Sequence, residues 1–239
     1  MLSRVKCGVS LAIVLFAARV HADDAINSKI NSQTASIETV KSMWGSSSYD
    51  VRLLIAPGLG EQSTVLAVST HASDEWSPRI EIGPEGDTWI TWWRDLATDE
   101  VRVRRFSNAS QSFDADRRVS QATENARNPE IVHDGTNPWI TYEVHGVATS
   151  IVVAIIGDDP DPVPTGTVLR TTSFTGNVDA EVHFQSGHLW VTWIEGSSEL
   201  GWSEYDYVSE SWSSPSYQSY SGTGVGPAKQ TIQDLIVRG

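Results

Sequence analysis

The sequence predicts an all-β protein built as an array of four-stranded sheets, and three observations carry that prediction. First, Asp87-Thr88-Trp89-Ile90-Thr91-Trp92 returns as Trp139-Ile140-Thr141-Tyr142 and again as Trp190-Val191-Thr192-Trp193, at intervals of 50 and 51 residues. Second, each copy alternates bulky and β-branched residues with period two, the pattern of a strand packed on both faces. Third, Gly- and Pro-containing turns divide each interval into further short β-rich runs. Four short strands per repeat of about 50 residues is the construction of a β-propeller blade.

The elements follow in order. Residues 1–22 have the layout of a secretory signal peptide. Arg4 and Lys6 precede an apolar run from Gly8 to Ala18, and Val20-His21-Ala22 forms a small-residue cleavage site. That run is shorter than the roughly 20 residues that span a bilayer. Residues 23–46 read as a linker, with Ile30, Ile37, Val40 and Trp44 near helical spacing and a short helix over 35–43. The propeller domain is expected over 47–239. Its first strands are 49–56, ended by Pro57-Gly58, and 64–70.

The first full repeat opens at Ser77-Pro78-Arg79-Ile80 and turns at 83–86. It runs through the Trp89 strand, 101–106 and 117–120. The second restarts at Asn128-Pro129-Glu130, turns at Asp134-Gly135, and continues through 150–156 and 168–172. The third begins at Asp179-Ala180-Glu181, turns at Ser186-Gly187, and ends with 200–205 and a weaker strand after Trp212. The strands at 49–70 match the last pair of a blade, and 228–238 offers a first pair. Three full blades plus one split blade would make a four-bladed ring that leaves no open edge. The alternative is a partial ring completed by a second chain, so monomer and homodimer both remain open.

Composition limits the partners. The only cysteine, Cys7, lies in the signal, so an exported product has no disulfide and relies on core burial. Export of this kind suits a secreted or periplasmic protein. Loss of Arg4, Lys6 and Arg19 takes 17 basic residues to 14 against 30 acidic ones, a formal charge of about −16. Such a surface repels phosphate backbones and anionic lipid, which argues against nucleic acid and membrane partners.

The pattern Ser77-Pro78-Arg79-Ile80, a glycine turn, Trp89-Ile90-Thr91-Trp92-Trp93 and Val101-Arg102-Val103-Arg104-Arg105-Phe106 resembles a blade of the sialidase-like propeller superfamily. Trp76-Ser77-x-Arg79 and Trp212-Ser213-Ser214-Pro215 are similar to the outer-strand ends of such blades. The resemblance covers residues 49–239. Of the family's Asp-box, Ser-x-Asp-x-Gly-x-Thr-Trp, only the tail Gly86-Asp87-Thr88-Trp89 is present, between first and second strands. The resemblance implies three substrate-holding arginines, a Tyr/Glu nucleophile pair and an acid/base Asp for a sialidase proper. Arg79 aligns with one arginine, but its equivalents are Glu130 and Glu181, which would repel a carboxylate.

By analogy of fold, ligands are expected where first strands begin and second strands turn into third strands. That mouth gathers Arg79, Glu130, Glu181, Arg94 and His145 as candidate ligand-binding residues, and Trp93, Tyr142, Trp202 and Tyr205 are the aromatic surfaces that suit a sugar ring. Glu143, Glu195 and Asp95 are the candidate catalytic acids, since two carboxylates across a mouth can serve a glycoside hydrolase. Asp158, Asp159 and Asp161 form an oxygen-rich loop suited to Ca²⁺, without EF-hand spacing. The plainer reading of the same residues is as solvated acids and packed aromatics. Three functions follow: an exported, non-catalytic module recognising a glycan or extracellular protein, a carbohydrate-active hydrolase, or a structural component of the cell envelope.

Overall fold

The computed structural model describes residues 26–219, apart from 32–35, 45–47, 57–62, 158–163, 173–174, 177 and 196–198. Residues 1–22, read above as a signal peptide, the Ca²⁺ candidates Asp158, Asp159 and Asp161, and residues 228–238 lie outside the described residues. Within them every element is a strand, and the strands form four antiparallel sheets. The first sheet holds β1 (Ile26–Asn31), β2 (Ser36–Trp44), β3 (Tyr49–Ala56) and β4 (Thr64–Ala67) in that order. The second holds β5 (Glu75–Ile82), β6 (Thr88–Arg94), β7 (Glu100–Ser107) and β8 (Ser112–Phe113), with β9 (Arg117–Arg118) also on β7. The third holds β10 (Ala126–His133), β11 (Pro138–His145), β12 (Thr149–Ile155) and β13 (Thr167–Thr171). The fourth holds β14 (Glu181–Gln185), β15 (His188–Glu195), β16 (Glu199–Asp206) and β17 (Ser211–Trp212), with β18 (Ser216–Ser219) also on β16.

The three Trp-centred strands fall where their alternation puts them, as the second strand of successive sheets. Two corrections concern the first sheet. The segment read as a linker or short helix forms β1 and β2. This pair completes the first sheet from its own side of the chain, so β3 and β4 need no strands from 228–238. The helical spacing of the apolar residues misleads because the buried face of β2 is largely polar. Glu38, Val40 and Ser42 all turn inward. Glu38 is held by the Thr88 hydroxyl, and Ser42 donates to the Glu75 carbonyl at 2.5 Å.

Each first strand lies beside the next, β1 by β5, β5 by β10 and β10 by β14, so these strands are the inner ones. The core is therefore three layers between sheets rather than one centre. Val40, Val51, Leu53, Ile80, Ile90 and Trp92 fill the first layer. Trp89, Val101, Val103, Ile131, Ile140 and Tyr142 fill the second. Trp139, Ile151, Val153, Leu189, Val191 and Trp193 fill the third. Alternation explains the division: Trp89 faces the following sheet, and Ile90 and Trp92 the preceding one. Burying each large side chain contributes about 2–3 kcal/mol. Gly201 lies flat against the Trp193 indole, where a Cβ would overlap the ring.

Candidate functional site

The mouth is shaped by a backbone irregularity that recurs with the repeat. Ser77, Asn128 and Asp179, 51 residues apart, have φ of 47°, 51° and 47°. At the first two the ladder slips, between Trp76 and Arg79 and between Arg127 and Glu130. Such a bulge turns the strand and re-aims the side chains after it, and Asn and Asp tolerate the left-handed conformation better than most residues. The residues so aimed are Arg79, Glu130 and Glu181. Arg79 Nε donates to Glu130 Oε1 at 2.6 Å, with both side chains about a quarter exposed, at 28% and 24%. Glu181 lies 3.6 Å from His183 Nε2. The expected trio is thus an ion pair and a separately engaged acid.

Behind it, Glu75 on β5 is completely buried. Its carboxylate accepts from Val51 N at 3.2 Å, Ser69 Oγ at 2.5 Å, Trp92 Nε1 at 3.1 Å and the Arg94 guanidinium at 3.1 Å. Arg94 also bonds Glu100 at 3.0 Å and Asp116 at 3.1 Å, and Arg102 and Arg118 close the cluster on the same acids. Burial works against the Arg94 charge, but Asp116 and Glu75 outweigh it and hold the group protonated above its ordinary range. Glu75 therefore joins the first and second sheets, through Val51 on β3 and Arg94 on β6, and the Arg94 guanidinium is committed to acids of this chain. Asp95, beside it, is exposed, and its amide donates to the Asp74 carbonyl at 2.8 Å.

The other candidates are also engaged. Glu143 is wholly buried, accepting from Asn128 Nδ2 at 3.1 Å and from Val178 N at 3.2 Å, so it ties the third sheet to the entry of the fourth. His145 Nε2 is 3.0 Å from Glu143 Oε2 but outside hydrogen-bond alignment. Glu195 is clamped by Arg170, whose two nitrogens reach it at 3.1 and 2.5 Å. Tyr142 has no exposed surface, and its hydroxyl donates to Glu124 at 3.2 Å. Burial and the Glu124 charge push its phenol far up. It belongs to the core and has no ring face for a sugar. Trp202 is half-buried on β16. Among the described residues, no cluster of His, Cys, Asp and Glu could hold a metal.

Sequence reasoning did not single out Glu75, although the repeats contain a signal for it. Glu75 stands opposite Arg94 in the β5–β6 ladder, and the matching pair in the β10–β11 ladder is Ala126 opposite Val144. A charged pair at a place where the next repeat is apolar marks a local ion-pair device.

At the opposite end of the strands, a cleft of about 480 Å³ opens between the third and fourth sheets. Trp139, Tyr205 and Trp212 line it, with ring centres 4.7 Å (Trp139–Tyr205), 5.3 Å (Tyr205–Trp212) and 6.0 Å (Trp139–Trp212) apart. Asp134 steadies this group, accepting from Trp139 Nε1 at 2.7 Å and Tyr207 Oη at 3.0 Å. A second cleft of about 520 Å³, between the second and third sheets, is bordered by Trp89, Arg105 and His133. Burial lowers the His133 pKa against the raising effect of Asp134 and Glu81.

No family model matches the chain, and no curated protein sequence does. Solved structures do match. A Hadza microbial sialidase superposes with a TM-score of 0.56 at 8% identity, covering 80% of this chain and 45% of that one. The periplasmic gluconolactonase of Pseudomonas aeruginosa gives 0.55 at 17% identity, over 83% and 58%. An α-L-arabinofuranosidase from Clostridium thermocellum gives 0.51 at 8% identity, over 81% and 72%. The chain thus spans about half the length of the sialidase it matches. The likeness is one of fold: the chain has a β-propeller fold of the kind that sialidases and arabinofuranosidases share.

Proposed function

We propose that this chain is an exported carbohydrate-recognition propeller that binds a glycan without hydrolysing it. The observation that carries this reading is the state of the acids at the mouth. A glycoside hydrolase needs two carboxyl groups flanking the scissile bond, one able to give up a proton to the leaving oxygen. Here Glu143 is buried beneath amide donors, Glu195 is clamped by Arg170, and Glu130 is paired with Arg79. Asp95 stands exposed without a second free acid among these candidates. A carbohydrate ligand is supported by the activities of the sialidase and arabinofuranosidase that share the fold.

The test is incubation of the purified chain with a panel of oligosaccharides, followed by quantification of new reducing ends. Binding with no release of reducing ends is expected. Turnover that disappears in Glu143→Gln or Glu195→Gln would make the protein a hydrolase instead. Absence of both binding and turnover would favour an extracellular protein partner or a structural role in the envelope.

A further inference from the structure

We propose that the aromatic cleft between the third and fourth sheets is the glycan site, and that it takes a neutral pyranose oligosaccharide. The proposal rests on the recognition function above and gives it a place, away from the mouth.

Comparison within the chain separates this cleft from ordinary packing between sheets. In the second sheet Phe106 stands opposite Phe113 across the β7–β8 hairpin, ring centres 5.1 Å apart. Phe106 is buried in the layer against the first sheet, and Arg104 lies over the Phe113 ring at 4.7 Å. In the fourth sheet the corresponding β16–β17 pair is Tyr205 and Trp212. Hydrocarbon rings suffice to fill a core. At the matching place here a phenol and an indole pack against the third layer and also line an open cleft, and no cation covers either ring among the described residues. Aromatics with a polar handle suit a ligand that is apolar on one face and hydroxylated at its edge.

The surroundings fit a sugar. Asp134 bonds the Trp139 indole and also accepts from the Thr136 and Asn137 amides at 2.7 Å, so the back of the cleft is fixed before a ligand arrives. Preorganisation of this kind lowers the cost of binding. Glu210, exposed at the tip of the β16–β17 hairpin, borders the cleft and makes no hydrogen bond or ion pair among the described residues. Its two oxygens can accept from adjacent hydroxyls of one pyranose. Thr165, just before β13, and Thr167 on it line the cleft with further hydroxyls. Glu210, Asp134 and Asp206 make the neighbourhood of Tyr205 negative. A sialic or uronic acid is therefore repelled, while a neutral sugar is not. The volume falls in the range of about 300–1,000 Å³ found for small-molecule sites.

The test is titration of the purified chain with maltohexaose, cellohexaose, xylohexaose and mannohexaose, with 3′-sialyllactose as the anionic probe. Binding is followed by calorimetry and by tryptophan fluorescence. At least one neutral probe should bind, and sialyllactose should not. Trp212→Ala should weaken binding about tenfold or more, and Glu210→Gln severalfold. Tyr205→Phe, which keeps the ring and removes only the hydroxyl, serves if Trp212→Ala does not fold. Neutral-probe binding that survives all three substitutions overturns the cleft but leaves glycan recognition standing. Preference for sialyllactose overturns the neutral-sugar assignment, and silence from every probe overturns both.

Discussion

Arg79 donates to Glu130 at 2.6 Å, joining equivalent positions of two successive repeats across neighbouring inner strands. The acid that makes the mouth look negative in sequence is thus answered by the arginine one repeat earlier. The pair is partly exposed, so its coupling should be about 1 kcal/mol or less. A double-mutant cycle of Arg79→Ala and Glu130→Ala in urea unfolding measures it. Strict additivity would mean that the contact contributes nothing.

Glu75 is a different case because it has no exposed surface. Glu75→Ala strands the Trp92 indole and the Val51 amide and should destabilise the chain by about 3 kcal/mol. Glu75→Ala with Arg94→Val copies the apolar pair of the third sheet and should recover part of that loss. A double variant less stable than the single one would contradict the ion-pair account.

Gly201 and Gly146 make a matched contrast. An alanine Cβ at Gly201 overlaps the Trp193 ring, whereas at Gly146 the nearest atom is the Ala148 carbonyl oxygen at 3.7 Å. Gly201→Ala should cost about 1–3 kcal/mol and shift the tryptophan emission. Gly146→Ala should be neutral or stabilising by about 0.5 kcal/mol. Equal effects would show that the close contact at Gly201 is not tight.

Acid should loosen the turn beneath the aromatic cleft. Partial burial raises the Asp134 pKa, but bonds from the Asn137 amide, the Trp139 indole, the Thr136 amide and the Tyr207 phenol outweigh it. The net value lies below the ordinary 3.8. A depressed folded pKa gives stability that is fully present above about pH 5 and is lost as pH falls through the folded value. Asp134→Asn should therefore be less stable at neutral pH and lose less stability between pH 5 and 2. Parallel pH profiles for the two proteins would exclude this linkage.

How much the sequence disclosed depended on which residues carried the pattern. Trp89, Trp139 and Trp190 mark their strands plainly because bulky and β-branched residues alternate there with little interruption. β2 stayed hidden because Glu38 and Ser42 occupy inward positions, made tolerable by Thr88 and the Glu75 carbonyl on the next sheet. Those partners are 50 and 33 residues away, beyond any local pattern. At the mouth, repeat alignment put Arg79 and Glu130 at equivalent positions, and the structure pairs them. It could not show that Glu143 points into the layer against the fourth sheet. Of the aromatic cleft, Tyr205 was legible as an aromatic suited to a sugar, whereas its pairing with Trp212 was legible only as a contrast with Phe106 and Phe113 two repeats earlier.

The central claim is recognition without hydrolysis. Saturation-transfer NMR of the chain with the neutral hexasaccharides tests it most directly, because one sample reports contact through the sugar ring protons and cleavage through new anomeric signals. Saturation transfer to at least one hexasaccharide, with its anomeric signals unchanged after prolonged incubation, is the predicted result. New reducing-end signals, or no transfer to any sugar, would contradict it.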